Sequence, residues 1–200
     1  MTGSTSTESP ALPAAVQLLT TVDADRLTAE LSACTGHTWN RQRTFEFHGP
    51  GTETELDWRV LALRSPGGDP DRTDPGGPGP VAFRTTKWLE RMPYLEEVLG
   101  SLRCEFNGIR LMALGPGARS ADHRDPKYGL RRGMVRLHIP VLTLPEAVLV
   151  LDGVEHCWQP GTLWYGDFSR EHRVQNTGTG VRIHVVIDTL TNRNLVRLFP

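Results

Sequence analysis

The chain has 200 residues and a formal net charge of −1, enough for one domain with a proper core. A balance so close to neutral gives no electrostatic case for binding nucleic acid or an anionic membrane surface. No apolar run approaches the roughly twenty residues needed to span a bilayer.

Residues 1–13 open Met1-Thr2-Gly3-Ser4-Thr5-Ser6-Thr7-Glu8-Ser9-Pro10, without a basic or an apolar signal-peptide region, and read as a disordered tail. Residues 14–200 are then expected to form a single domain. Cys34, Cys104 and Cys157 are an odd set, which points to free thiols in a reducing cytoplasm. Cys157 reads as a buried thiol, and His37, His48 and His156 show no partner pattern.

Val16, Leu18, Thr20 and Val22 alternate as a strand. Asp23 or Asp25 can cap a following helix in which Leu27, Leu31 and Cys34 recur at helical spacing. Trp58 to Leu63 reads as a second strand. Residues 65–80 are too rich in proline and glycine for regular structure, leaving a flexible surface loop or a lid over a substrate. Trp88 to Leu99 suits a short helix with Leu89, Met92, Leu95, Val98 and Leu99 on its apolar side; Pro93 falls in its early part or breaks it.

Arg110 to Leu114 reads as a strand ending at Gly115-Pro116-Gly117. His123-Arg124-Asp125 follows. In an extended segment residues i and i+2 share a face, so His123 and Asp125 can grip one ion together. With His172, about fifty residues later, they make the two-imidazole, one-carboxylate set of a mononuclear non-haem iron site. A bare His-x-Asp pair also arises by chance, so the surrounding strands decide its weight. Tyr128 to Gly133 starts beside the ligands and reads as a lid, where Arg131 or Arg132 either meets a substrate carboxylate or stays solvated.

In Met134 to Val141 the apolar Val135, Leu137, Ile139 and Val141 alternate with Arg136 and His138, as in a half-buried strand. Ala147 to Leu151 runs into Asp152-Gly153, a two-residue hairpin signal. Val154 to Trp158 returns, Gln159-Pro160-Gly161 turns, and Thr162 to Tyr165 starts another strand. His172 leads through the turn Asn176 to Gly180 into Val181 to Asp188, where Arg182 and His184 oppose Val181, Ile183, Val185 and Ile187. As a hairpin, that turn would set Arg182 on the strand beside His172.

The two Arg-x-His faces either look at water or line a small barrel that also holds the metal. Inside a barrel, unpaired guanidinium groups are costly. An elongated dicarboxylate cosubstrate would satisfy them, one end at the metal and the other on an arginine. Short strands at this spacing predict a mainly β fold, a double-stranded β-helix (jelly roll, cupin-like) with N-terminal supporting helices.

Arg110-Leu111-Met112, Pro116-Gly117, His123-Arg124-Asp125, Arg136-Leu137-His138-Ile139-Pro140, Trp164-Tyr165, His172-Arg173-Val174-Gln175-Asn176 and Arg182 to Asp188 together resemble the aspartyl/asparaginyl β-hydroxylase family. The resemblance covers residues 86–190. It implies an oxidoreductase that uses Fe(II), 2-oxoglutarate and O2, in a family that includes bacterial amino-acid hydroxylases such as proline cis-4-hydroxylase. It implies that His123, Asp125 and His172 bind iron, that Arg182 holds the distal carboxylate of 2-oxoglutarate, and that Arg136 and His138 assist at the cosubstrate. The acidic ligand Asp125 argues against halogenation, which in related enzymes needs an empty site for chloride. One departure stands out: residues 110–114 offer no hydroxyl to share the distal carboxylate with Arg182. The partner implied is an amino-acid-like or small peptide substrate, with no side-chain acid or base beyond the metal ligands. The competing readings are a cupin-type isomerase or dioxygenase that uses no 2-oxoglutarate, and a non-catalytic metal-binding jelly roll.

Overall fold

The structure, a computed structural model, describes residues 12–35, 39–41, 57–72 and 81–200. Its strands form two antiparallel sheets. The larger comprises β1 (Ala15–Thr21), β2 (Asn40–Arg41), β3 (Trp58–Pro66), β4 (Phe83–Thr85), β5 (Phe106–Leu114), β6 (Met134–Leu142), β9 (Thr162–Gly166) and β11 (Arg182–Leu190), in the order β1-β9-β6-β11-β5-β3-β2 with β4 beside β3. The smaller comprises β7 (Ala147–Leu151), β8 (Val154–His156) and β10 (His172–Asn176), in the order β10-β7-β8. The chain is a mainly β jelly roll with α1 (Ala24–Thr35) and α2 (Pro93–Leu102) on its outer face and a short α3 (Arg193–Val196) near its end.

The period-2 patterns dictate the layers. Val135, Leu137, Ile139 and Val141 of β6 and Ile183, Val185 and Ile187 of β11 join Leu61, Leu63, Ile109 and Leu111 in one buried cluster. Leu27, Leu31 and Cys34 of α1 and Leu95, Val98, Leu99 and Leu102 of α2 cover it. Asp23 is the residue that caps α1, its Oδ1 accepting the Arg26 N–H at 3.0 Å. Pro93 splits the segment read as one helix: a 3-10 turn spans Leu89–Arg91, and α2 starts with Pro93 in its first turn and runs on to Leu102. That start has no cap from its own chain neighbours. Glu30 of α1 supplies one, accepting the N–H groups of Tyr94 at 2.5 Å and Leu95 at 3.1 Å, so two of the orphan donors of α2 are satisfied across the helix pair.

The opposite face of the large sheet looks inward. His138, Arg182 and His184 are each more than nine-tenths buried, so the Arg-x-His faces line the jelly-roll interior rather than meeting water. Leu149, Leu151 and Val174 of the small sheet close over them with Leu114, Trp158 and Phe168. Asp152 and Gly153, with φ of 52° and 78°, make the tight turn between β7 and β8 that positive φ at both positions permits.

Three expectations need correction. β3 runs two residues into the stretch 65–80, pairing Ser65 with Arg84 and Pro66 with Phe83; residues 73–80 lie outside the described residues, as do His37 and His48. β10 and β11 are not neighbours but belong to different sheets. Asn176 turns the chain across, its Nδ2 donating to Leu114 O at 3.0 Å and Gly180 O at 2.8 Å while its Oδ1 accepts the Gly178 N–H. Cys157 is half-buried rather than buried; it, Cys34 and Cys104 are free thiols. Among the described residues no helix is long and apolar enough to cross a membrane.

Candidate metal centre

His123, Asp125 and His172 converge, with one ligand atom from each lying within 4.8 Å of the others. The backbone enforces this. The segment after β5 runs antiparallel to β10, and His123 and His172 exchange both main-chain hydrogen bonds, at 2.9 and 2.8 Å. Asp125, two residues on, is held by its own N–H donating to Phe168 O at 2.9 Å.

Each imidazole is oriented in the same way. His123 Nδ1 lies 3.0 Å from Ala121 O, and His172 Nδ1 lies 3.0 Å from Arg170 O. A carbonyl can only accept, so each Nδ1 carries the proton and each Nε2 keeps its lone pair for a metal. Burial, then the neighbouring His123, pushes the His172 pKa down to about 4, so its ring is neutral and available as a ligand. Two neutral imidazoles and one carboxylate suit a divalent ion such as Fe(II), and they leave positions open for other ligands.

Behind the carboxylate lies a charge network. Arg136 Nη1 donates to Asp125 Oδ2 at 2.5 Å, and its Nε donates to Asp188 Oδ1 at 2.8 Å. Asp188, fully buried, also accepts from Arg110 Nη2 at 2.6 Å and Tyr128 Oη at 2.9 Å. The Arg136 guanidinium lies 3.9 Å over the Tyr128 ring. Burial alone would raise the carboxyl pKa values, but the guanidinium groups more than offset it and hold Asp125 and Asp188 below the usual range. Both acids are therefore ionised. Asp188 fixes Arg136, and Arg136 fixes the Asp125 carboxylate.

The other end of the interior has the reverse character. Arg182 is buried, yet among the described residues no carboxylate pairs with it. Its Nε donates to His184 Nε2 at 3.0 Å, and its Nη2 lies 2.8 Å from His184 Nδ1. A neutral imidazole offers one lone pair, so it cannot satisfy both contacts. Burial lowers the Arg182 pKa to about 10, which still leaves it charged at neutral pH. His138 and His184, 3.3 Å apart through their Nδ1 atoms, are kept neutral by burial first and by Arg182 second. His138 Nε2 and Trp158 Nε1 are buried without a hydrogen-bond partner among the described residues.

Phe168 joins the two ends, its ring stacked 5.2 Å from His138 and edge-on at 4.9 Å to His172. A Cβ at position 166 would lie 2.6 Å from that ring, so Gly166 is what admits it.

The structure thus brings together His123, Asp125 and His172, and sets His138 beside Arg182 through His184. Arg136 stands elsewhere: its hydrogen bonds tie it to Asp125 and Asp188 rather than to the Arg182 end. The segment read as a lid is pinned, with Tyr128 buried at Asp188, Ser169 N–H donating to Tyr128 O, and Leu130 N–H donating to Tyr165 Oη. Arg131 and Arg132 line an outer cavity of about 230 Å³ with Asp167, Ser169 and Arg170, and none of His123, Asp125 and His172 borders it. Asp188, Arg110 and Trp158 received no site role from the sequence, and Tyr128 was read only as the start of that lid. Asp188 had one signal: it shares the inward face with Arg182 and His184.

A family model described as aspartyl/asparaginyl β-hydroxylase matches residues 22–191. Among solved structures, a non-haem α-ketoglutarate-dependent epimerase, SnoN, from nogalamycin biosynthesis aligns over 88% of this chain and 78% of its own, with 11% identity and a TM-score of 0.54. A non-haem monooxygenase, ThoJ, in a nickel complex aligns over 90% of this chain and 74% of its own, with 13% identity and a TM-score of 0.52. A prolyl-4-hydroxylase from Pseudomonas putida aligns over 90% and 93%, with 18% identity and a TM-score of 0.46. For SnoN and ThoJ, at these identities, the likeness is one of fold alone. No curated protein matches the chain.

Proposed function

Because the chain belongs to the aspartyl/asparaginyl β-hydroxylase family, we propose that it is an Fe(II)- and 2-oxoglutarate-dependent hydroxylase. Its substrate would be an amino acid, free or within a small peptide or biosynthetic intermediate. One observation carries this reading: Arg182, a buried cation with no carboxylate partner among the described residues, shares the jelly-roll interior with the His123-Asp125-His172 set. A dicarboxylate spanning the two answers the cost of burying that charge.

In this reading His123 and His172 offer their Nε2 lone pairs to the metal and Asp125 offers its carboxylate. Arg182 leaves His184 to form a forked pair with the distal carboxylate. Neutral His138 and His184 place no competing charge beside it. Phe168, Trp158 and Trp164 keep water from the interior, which strengthens each of these polar contacts. The metal and cosubstrate, when bound with O2, supply the oxidising power that converts a C–H bond to C–OH as 2-oxoglutarate becomes succinate and CO2. No side-chain acid or base is required.

Arg182→Ala is expected to raise the 2-oxoglutarate concentration needed for half-maximal turnover by on the order of 100-fold, with metal binding retained. An unchanged requirement removes Arg182 from the cosubstrate site. The function itself is tested by screening amino acids and short peptides for substrate-stimulated succinate release, with mass spectrometry for a gain of one oxygen. A cupin-type enzyme working without 2-oxoglutarate gives no succinate, and a non-catalytic metal-binding module shows no turnover of any kind.

A further inference from the structure

The distal carboxylate of a bound dicarboxylate has more lone pairs than Arg182 alone can satisfy. β5, which pairs with β11, carries no hydroxyl here; Met112 stands opposite His184. A second donor must come from another element.

The indole of Trp158 has the required properties. It is 3% exposed, and its Nε1–H has no hydrogen-bond partner among the described residues, a costly state for a buried donor. An indole nitrogen only donates, so what answers it must be an acceptor. The ring is fixed, stacked at 5.2 Å and 9° on Trp164, whose own Nε1–H is satisfied by Thr162 Oγ1 at 2.8 Å. It lies edge-on at 5.3 Å to His138 and 6.4 Å from His184, the ring on which the Arg182 guanidinium rests. An unsatisfied donor and a guanidinium without a carboxylate partner among the described residues therefore lie beside the same neutral imidazole, His184.

We propose that Trp158 donates its Nε1–H to the distal carboxylate of the cosubstrate, supplying the bond for which β5 has no hydroxyl. This rests on the reading that the interior takes 2-oxoglutarate. Arg182 contributes charge and a forked pair, and Trp158 fixes the orientation of the same group from the small-sheet side.

The test compares two probes on the full chain, anaerobically and with Fe(II) present: 2-oxoglutarate, and 2-oxopentanoate, which keeps the metal-binding end but lacks the distal carboxylate. Trp158→Phe is expected to weaken 2-oxoglutarate about tenfold or more, with 2-oxopentanoate and metal affinity unchanged. Equal weakening of both probes makes the residue a packing element and overturns the proposal, as does no weakening of either. Should Trp158→Phe fail to fold, benzothienylalanine at position 158 keeps the shape, removes the N–H, and is held to the same comparison. If the unaltered chain binds no 2-oxoglutarate, the cosubstrate reading itself fails and the proposal falls with it. If the unaltered chain binds it and only the Trp158 effect is missing, the cosubstrate reading stands and this one does not.

Discussion

His172→Ala is expected to abolish metal-dependent turnover while leaving the fold intact. The substitution removes one of three ligand atoms, a larger loss than removing an outer partner, which costs roughly 10–100-fold in metal affinity. The fold should persist because the bonds that set His123 beside His172 are main-chain bonds, and alanine keeps them. Metal content after dialysis, read with circular dichroism, checks both halves. A variant that retains stoichiometric iron and turnover would remove His172 from the ligand set. His123→Ala should behave alike.

Asp188→Ala should have the largest effect on stability. Asp188 is fully buried and pairs with both Arg110 and Arg136. Its removal leaves two guanidinium groups inside with Asp125 as the remaining carboxylate partner of Arg136. Breaking a buried pair from one side costs about 3–5 kcal/mol, which denaturant titration resolves easily. Metal affinity should fall as well, because Arg136 loses the group that aims it at Asp125.

The effect also has a sign in pH. Arg136 and Arg110 hold the Asp188 carboxyl below its usual pKa despite burial. Its contribution is therefore complete above the ordinary carboxylate pKa of about 3.9 and is lost as pH falls through the folded value. The stability gap between the unaltered chain and Asp188→Ala should narrow in acid and stay open at neutral pH. A gap that is constant with pH, or absent, contradicts the network.

Much of this was readable because period-2 alternation is a local signal. Val135, Leu137, Ile139 and Val141 identified the helix-facing layer of β6 before any contact was known, and Val181, Ile183, Val185 and Ile187 did the same for the chain around β11. The convergence of the candidate set was readable because His123 and Asp125 share a face at i and i+2. What alternation could not say was where each polar face points, since an outward Arg-x-His and an inward one look the same in sequence.

Arg136 shows the consequence. It sits in the same Arg-x-His pattern as Arg182, yet Asp188 on the paired strand claims one and, among the described residues, nothing acidic claims the other. That difference is a matter of cross-strand register. The turn at Asn176 misled for a related reason: five residues of turn sequence are compatible with a hairpin or a crossing between sheets, and only the Asn176 bonds to Leu114 and Gly180 distinguish them. Trp158 lay in a segment whose strand ends at His156, so alternation said nothing of its ring.

The most direct test is an anaerobic titration of the full chain with Fe(II) and then 2-oxoglutarate, followed by visible absorption. A metal-to-ligand band should appear only when both are present, saturate at one 2-oxoglutarate per chain, and be absent in His172→Ala. Iron that binds at the His123-Asp125-His172 set with no band at any 2-oxoglutarate concentration would contradict the account.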